Sequence, residues 1–132
     1  MRIVVDTNVW VSGLLSPHGP SARIVRGCLG REWVLCADIR ILSEYREVLL
    51  RPKFNFDAVH VAEILDHLSH ICERVTARPI KKRLHDRDDE PFLEVAVSAS
   101  VRYLVTGNTR HFPSALSGVT VVTPRQFINA AR

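Results

Sequence analysis

The sequence predicts an α/β fold, a three-layer α/β/α sandwich around a mostly parallel central sheet. Three observations lead there. Short apolar runs alternate along the chain with stretches of helical periodicity. Runs such as Ile3-Val4-Val5 and Tyr103-Leu104-Val105 are continuously apolar, as in strands covered on both faces. The length of 132 residues suits one domain, residues 1–132, and 46% hydrophobic with 24% charged residues supplies one sizeable core.

The elements run in order along the chain. Arg2 to Val5 reads as a buried strand. Asp6-Thr7-Asn8, rich in capping types, opens a short helix through Leu14. Pro and Gly mark Ser16 to Pro20 as a loop, and Ser21 can cap a second helix ending near Gly27 or Gly30. Trp33 to Ala37 is the second strand. A helix from about Asp38 to Arg51, stopped by Pro52, carries an apolar stripe of Ile41, Leu42, Tyr45, Val48 and Leu49. Phe54 to Phe56 is a connector, and Asp57 starts a helix with Val61, Ile64, Leu65, Leu68 and Ile71 on one face. Arg74 to Thr76 reads as a short strand, and Arg78 to Asp88 as a polar loop. The next helix starts near Asp89, with Pro91 in its first turn, and runs through Ser100; it is apolar nearly all round and so should be buried. Tyr103 to Thr106 and Val119 to Val122 are strands, and Thr123-Pro124 opens a last short helix.

Composition narrows the class. The first apolar run is broken by Asp6, Thr7 and Asn8, unlike a secretory signal, and no stretch approaches the roughly 20 apolar residues of a membrane span. The chain therefore reads as cytoplasmic, without a membrane partner. Its three cysteines, Cys28, Cys36 and Cys72, include no CxxC pair, which argues against a disulfide framework or a structural zinc site. Cys28 and Cys36 lie in apolar surroundings and read as buried free thiols. Lys plus Arg number 18 and Asp plus Glu 14, a formal charge of +4. That mild excess is compatible with a nucleic-acid partner, and clustering of the acids would leave the remaining surface more basic.

Several acids stand in positions that need explaining. In a parallel sheet, ligands sit beyond the carboxyl ends of the strands, which singles out Asp6, the Ala37-Asp38 region and the Gly107-Asn108 turn. Asp6 directly succeeds the first strand and could equally be a helix N-cap, with Asn8 a competing cap that would free it. Glu44 shares a helix face with Ile41 and Val48, where a carboxylate is costly to bury without a partner; the alternative is an edge position reaching solvent, with Glu47 a less inward acid on the same helix. Asp86, Asp88 and Asp89 precede the buried helix and would interact well with its dipole, or one could point into the same cleft as Asp6. Asp89 is best placed for that. Glu94 is an acid inside an otherwise apolar helix, paired with an arginine or facing the site. Several hard oxygen ligands around one cleft suit Mg²⁺ or Mn²⁺, and carboxylates brought together without a cation would repel.

These motifs, in this order, resemble the PIN domain family, in particular its toxin-component branch, the relatives of VapC-type toxins. The similarity spans nearly the whole chain. It rests on Ile3-Val4-Val5-Asp6-Thr7-Asn8, on Leu42-Ser43-Glu44-Tyr45-Arg46-Glu47-Val48-Leu49 with Arg51-Pro52-Lys53-Phe54, on Asp86-Arg87-Asp88-Asp89 with Phe92-Leu93-Glu94-Val95-Ala96, and on Tyr103-Leu104-Val105-Thr106-Gly107-Asn108. The resemblance implies metal-dependent endonuclease activity on RNA, with Mg²⁺ or Mn²⁺ as cofactor. It implies an antitoxin protein as partner and a homodimer. Carried over, Asp6, Glu44 and Asp89 are the metal-binding and catalytic acids, with Asp88 the fallback for the third. Asn108 stands at the fourth catalytic position, Asn8 is expected to support the site by hydrogen bonding, and Asn8 and Thr106 are expected to contact substrate. Asn108 departs from the family pattern, since many relatives carry Asp there; its carbonyl oxygen can ligate a metal but adds no charge. His111 or Glu94 could compensate. In the implied mechanism, the metal binds the scissile phosphate and activates a water for in-line attack.

Other features carry alternatives. Arg78, Lys81, Lys82 and Arg83 form a basic cluster that is either a solvated loop or a contact for RNA backbone. His60, His67 and His70 with Glu63 read as the wet side of a helix, with a zinc site the rival reading. Trp10 and Trp33 read as core or interface anchors, and Trp10 with Val11 could help form a dimer surface. The rival functions are a catalytically weak PIN module that binds RNA or a partner without cutting, a phosphatase or receiver of another α/β class, and a structural antitoxin-binding protein. A receiver would want a Lys after a late strand, and the last strands carry none.

Overall fold

A computed structural model of the chain describes residues 1–81 and 83–131. The apolar runs form the strands β1 (Arg2–Val5), β2 (Val34–Ala37), β3 (Glu73–Arg74), β4 (Tyr103–Val105), β5 (Ala115–Leu116) and β6 (Val119–Val122). They make one sheet in the order β3-β2-β1-β4-β6-β5, parallel throughout except for the β5–β6 pair. The helices are α1 (Thr7–Leu15), α2 (Pro20–Leu29), α3 (Ile39–Leu49), α4 (Ala58–Ile71), α5 (Glu90–Ser98) and α6 (Pro124–Ala130). No helix among the described residues is long and apolar enough to cross a membrane.

The path of the chain dictates the layers. From β1 the chain steps outward to β2 and β3, then crosses back over the sheet to β4. With right-handed crossovers, α1 to α4 fall on one face and α5 on the other. The packing agrees: α4 rests on α2, α3 and β2, whereas α5 lies against β1, β2 and β4. The strand order therefore reverses between β1 and β4, and a crevice opens there beyond the strands' carboxyl ends. Val5 pairs with Val105 at that edge, and the Asp6 N–H donates to the Val105 carbonyl at 2.8 Å. Ile3, Val4, Val5, Leu104 and Val105 are all fully buried, as strands covered on both faces require.

The structure departs from the expected elements at several points. Ser21 does not cap α2; Gly19, at φ 113°, takes that place and Pro20 occupies the first turn. The third strand pairs at Glu73 and Arg74, slightly earlier than expected, in register with Cys36 and Ala37. The Arg2 guanidinium holds Glu73 at that edge. Strand β5 was not anticipated, because two residues carry no pattern. Its signal is the turn: Ser117 and Gly118 both have positive φ, as a two-residue hairpin needs. Trp10 and Trp33 are both core residues, so Trp10 is not available as an interface anchor. The three cysteines are free, with Cys28 and Cys36 buried.

Trp33 explains one glycine. Its ring packs edge-on against Phe127, centroids 5.0 Å apart, and presses on α2 where Gly27 offers no side chain. A Cβ at Gly27 would lie 2.2 Å from the Trp33 ring. Gly27→Ala should therefore destabilise the protein by about 1–3 kcal/mol through overpacking, despite alanine's better helix propensity. Urea denaturation checks this; an unchanged or higher midpoint would contradict the packing described.

Candidate functional site

Asp6 leaves β1 at the crevice and is only 6% exposed. Its Oδ1 accepts the Thr7 N–H at 2.7 Å, so Asp6 itself caps α1. Its Oδ2 accepts the Thr106 hydroxyl at 2.7 Å. Asn8 does not take the cap, contrary to the alternative raised from sequence. Its Oδ1 accepts the Gly107 N–H at 3.0 Å across the crevice, and the Thr106 hydroxyl oxygen accepts the Asn108 N–H at 3.0 Å. The ends of β1 and β4 are thus stitched together by Asp6, Asn8 and Thr106. Thr106 is fully buried beneath the site, so it positions Asp6 and does not reach a substrate.

Glu44 projects from α3 toward the same place and is half-buried. The Thr7 hydroxyl donates a short hydrogen bond to its Oε2. Glu47 instead points to solvent and pairs with Arg51 at 3.3 Å. On the far side, Asp86 caps the single 3-10 turn Arg87–Asp89, accepting the Asp88 N–H at 2.9 Å. Asp89 then enters α5 with one oxygen, Oδ2, buried and lacking a hydrogen bond. The His111 Nδ1 lies 3.2 Å from that oxygen, close enough for charge contact when the ring is protonated but outside hydrogen-bond geometry.

These groups line one cleft of about 520 Å³. Asp6, Glu44 and Asp89 meet there with Asn8 and Asn108, and Asp86 and Asp88 stand at its edge. Glu94 does not. It is buried on α5, where it pairs with Arg40 at 2.7 Å and accepts the Ile80 N–H, so the arginine alternative holds and Glu94 cannot compensate for Asn108. His111 does line the cleft. Sequence reading missed Arg51, Ser12 and Ser16 in the lining. The signal was available for Arg51: Glu44, Val48 and Arg51 continue one face at i, i+4 and i+7.

The donor set fits a hard divalent cation. Asp6, Glu44 and Asp89 offer only oxygen, the Asn108 amide offers another, and the buried Asp89 Oδ2 has no hydrogen bond and only the His111 ring beside it. Among the described residues, no three His, Cys, Asp or Glu side chains stand together as a group that could hold a metal ion in their present positions. Asp6 and Glu44 are held by Thr106 and Thr7 instead. An open arrangement of this kind suits Mg²⁺, which keeps several waters and rarely occupies an all-protein cage. The histidine face of α4 forms no such group either: His67 bonds the Leu29 carbonyl and His70 the Asp66 carbonyl.

A family model described as PIN domain matches residues 2–110. Among solved structures, a chain in the crystal structure of VapBC2 from Rickettsia felis, bound to a DNA fragment from their promoter, is similar in fold. The TM-score is 0.59 at 15% identity, over 93% of this chain and 98% of that one. No curated protein matches the chain.

Burial dominates the electrostatics of the cleft. It pushes the Asp6 carboxyl up from 3.8 to about 6; the Thr106 hydrogen bond opposes the shift and the Asp89 charge adds to it. Glu44 is raised by burial, with the Thr7 hydrogen bond opposing and Asp6 adding. Asp89 is raised by burial and by Asp86. A carboxyl raised on folding favours the native state below its unfolded pKa, and that contribution is lost as pH rises through its folded one. Metal-free protein should therefore lose up to about 3 kcal/mol from Asp6 between pH 4 and pH 7, relative to Asp6→Asn. Urea denaturation of both proteins in EDTA measures this. Parallel pH profiles for the two would contradict the buried, crowded carboxyl.

Proposed function

The chain belongs to the PIN domain family, and on that premise we propose that it is a Mg²⁺- or Mn²⁺-dependent endoribonuclease. The observation that carries the reading is the meeting of Asp6, Glu44 and Asp89, from three distant parts of the chain, in one cleft at the sheet's reversal point. We assign these three as metal ligands and catalytic acids. Asp89 is preferred to Asp88, because Asp89 has the buried unpartnered oxygen and Asp88 is exposed. When bound, the ion would neutralise charge on the scissile phosphate and lower the pKa of a water.

The chain's own groups do the rest. Thr106 and Thr7 fix the Asp6 and Glu44 carboxylates in orientation. Asn8 holds the Gly107 turn, which keeps Asn108 at the cleft, where its amide oxygen is a neutral ligand or substrate contact. Asn8 lines the cleft, and its amide nitrogen can donate to substrate. Arg51, also in the lining, is suited to a neighbouring phosphate.

The fold likeness to a VapBC2 chain supports the finer reading of a toxin that pairs with an antitoxin protein. A cytoplasmic location and a homodimer belong to the same proposal. Leu15, exposed at the cleft rim, is an apolar residue that such an association would cover. Asn108 favours one second reading: a PIN module that binds RNA or a protein partner and cuts it weakly.

Cleavage of a mixed RNA pool separates the two. The wild type should cut with Mg²⁺ or Mn²⁺ and stop in EDTA, and Asp6→Asn should lower the rate about 100-fold or more. Cutting that survives both EDTA and Asp6→Asn would contradict the assignment. Asn108→Asp should lower the metal concentration for half-maximal cleavage, since a fourth carboxylate joins Asp6, Glu44 and Asp89 around the metal. A higher requirement would remove Asn108 from the metal's surroundings.

A further inference from the structure

Glu90, Glu94 and Ser98 stand at i, i+4 and i+8 on α5, and so share one side of the helix. Each accepts a backbone N–H from the segment 78–84. Leu84 donates to Glu90 Oε2 at 3.0 Å, Ile80 to Glu94 Oε2 at 3.2 Å, and Arg78 to Ser98 Oγ at 2.9 Å. The segment is therefore a strap pinned along about 12 Å of helix. Glu90 and Glu94, 5% and 6% exposed, are further neutralised by Arg83 and Arg40. The outward side of the strap is cationic: Arg78 and Lys81 are exposed, Arg83 is exposed while paired with Glu90, and the exposed Arg87 stands between the cleft-lining Asp86 and Asp88 in the chain. Lys82 lies outside the described residues.

The lower end of the strap borders a groove of about 670 Å³. Arg78 and Lys81 line it with the hydroxyls of Thr76, Ser98, Ser100 and Ser117, and the described lining contains no acid. Charge on this molecule is thus segregated, with five acids in the cleft and a line of cations leading away from it. With five acids against Arg51, the cleft repels a polyanion until metal is bound, so most of the affinity for a nucleic acid must come from outside it. Cations and hydroxyls on a fixed backbone are suited to phosphodiester oxygens.

We propose that the strap 78–84 and the groove at its foot form a track for the phosphodiester backbone of RNA running out of the cleft. This rests on the ribonuclease reading above and adds where the flanking nucleotides lie. RNA too short to leave the cleft cannot use the track, whereas a longer strand gains contacts with Arg78 and Lys81.

The test compares binding of single-stranded RNAs of about 4 and about 12 nucleotides, in EDTA so that nothing is cut, by fluorescence anisotropy. The wild type should prefer the longer RNA, and the double variant Arg78→Ala with Lys81→Ala should shrink that preference about tenfold. Its log–log salt dependence should flatten by about 1.4, for two lost phosphate contacts. The charge-preserving pair Arg78→Lys with Lys81→Arg should keep most of the preference. A wild type that cuts RNA while the double variant keeps the full preference would overturn the track and leave the nuclease reading intact. Arg78- and Lys81-dependent binding without metal-dependent cutting would support the track and sink the nuclease reading. Absence of wild-type binding at either length would overturn the track. A loss confined to duplex DNA of the longer length, with the RNA preference unchanged, would assign the strap to DNA and overturn the RNA track.

Discussion

Asp6 is the constraint around which the molecule is arranged. A carboxylate at the end of a central strand, almost wholly buried and facing other acids, opposes its own ionisation. The surrounding structure spends several groups on holding it there: the Thr7 N–H, the Thr106 hydroxyl and the β1–β4 pairing beneath. Thr7 repeats the device with Glu44, so one dipeptide, Asp6-Thr7, links two of the three acids. Such an arrangement calls for a compensating charge, and a divalent cation supplied from solution is the compensation we propose.

The helix α5 serves two purposes from opposite ends and sides. Its N-terminus brings Asp89 into the cleft, and its Glu90, Glu94 and Ser98 hold the strap. This accounts for an oddity visible in the sequence, Glu94 within a helix otherwise apolar, and Glu90 one turn earlier shares its situation. Both are buried, but each is neutralised and hydrogen-bonded, which makes burial tolerable. The acids of the molecule therefore fall into two kinds. Those on α5 are structurally satisfied, while Asp89 keeps a buried oxygen without a hydrogen bond, beside the His111 ring.

Much of this was legible in the sequence, and the reasons differ by residue. Asp6 could be placed because a continuous apolar run identified β1, and ligand-facing residues lie just past the carboxyl ends of such strands. Asp89 could be placed because Pro91 and an apolar run marked the start of α5. Glu44 was narrowed by periodicity to a partly apolar face, but periodicity gives the face and not its neighbour, so solvent remained an option until α3 was docked. That Asn8 supports the site by hydrogen bonding was implied by the family resemblance, but its partner, Gly107, could not be read because it is 99 residues away. The fate of Glu94 depended on Arg40, 54 residues earlier, and no local pattern connects them. The strap was read as a polar loop for the same reason: its hydrogen-bond partners lie on α5, the next helix along the chain. Strand β5 escaped because two residues have no period, although the Ser117-Gly118 turn beside them was a usable signal.

The central claim is that Asp6, Glu44 and Asp89 share a divalent cation. Anomalous diffraction from crystals soaked in Mn²⁺ addresses it without relying on any substrate. The account predicts a peak in the cleft within coordination distance of oxygen atoms from these three residues, about 2.0–2.2 Å. A cleft without a peak at saturating Mn²⁺, or a peak held by other residues with Asp6 and Glu44 still bonded only to their threonines, would contradict it.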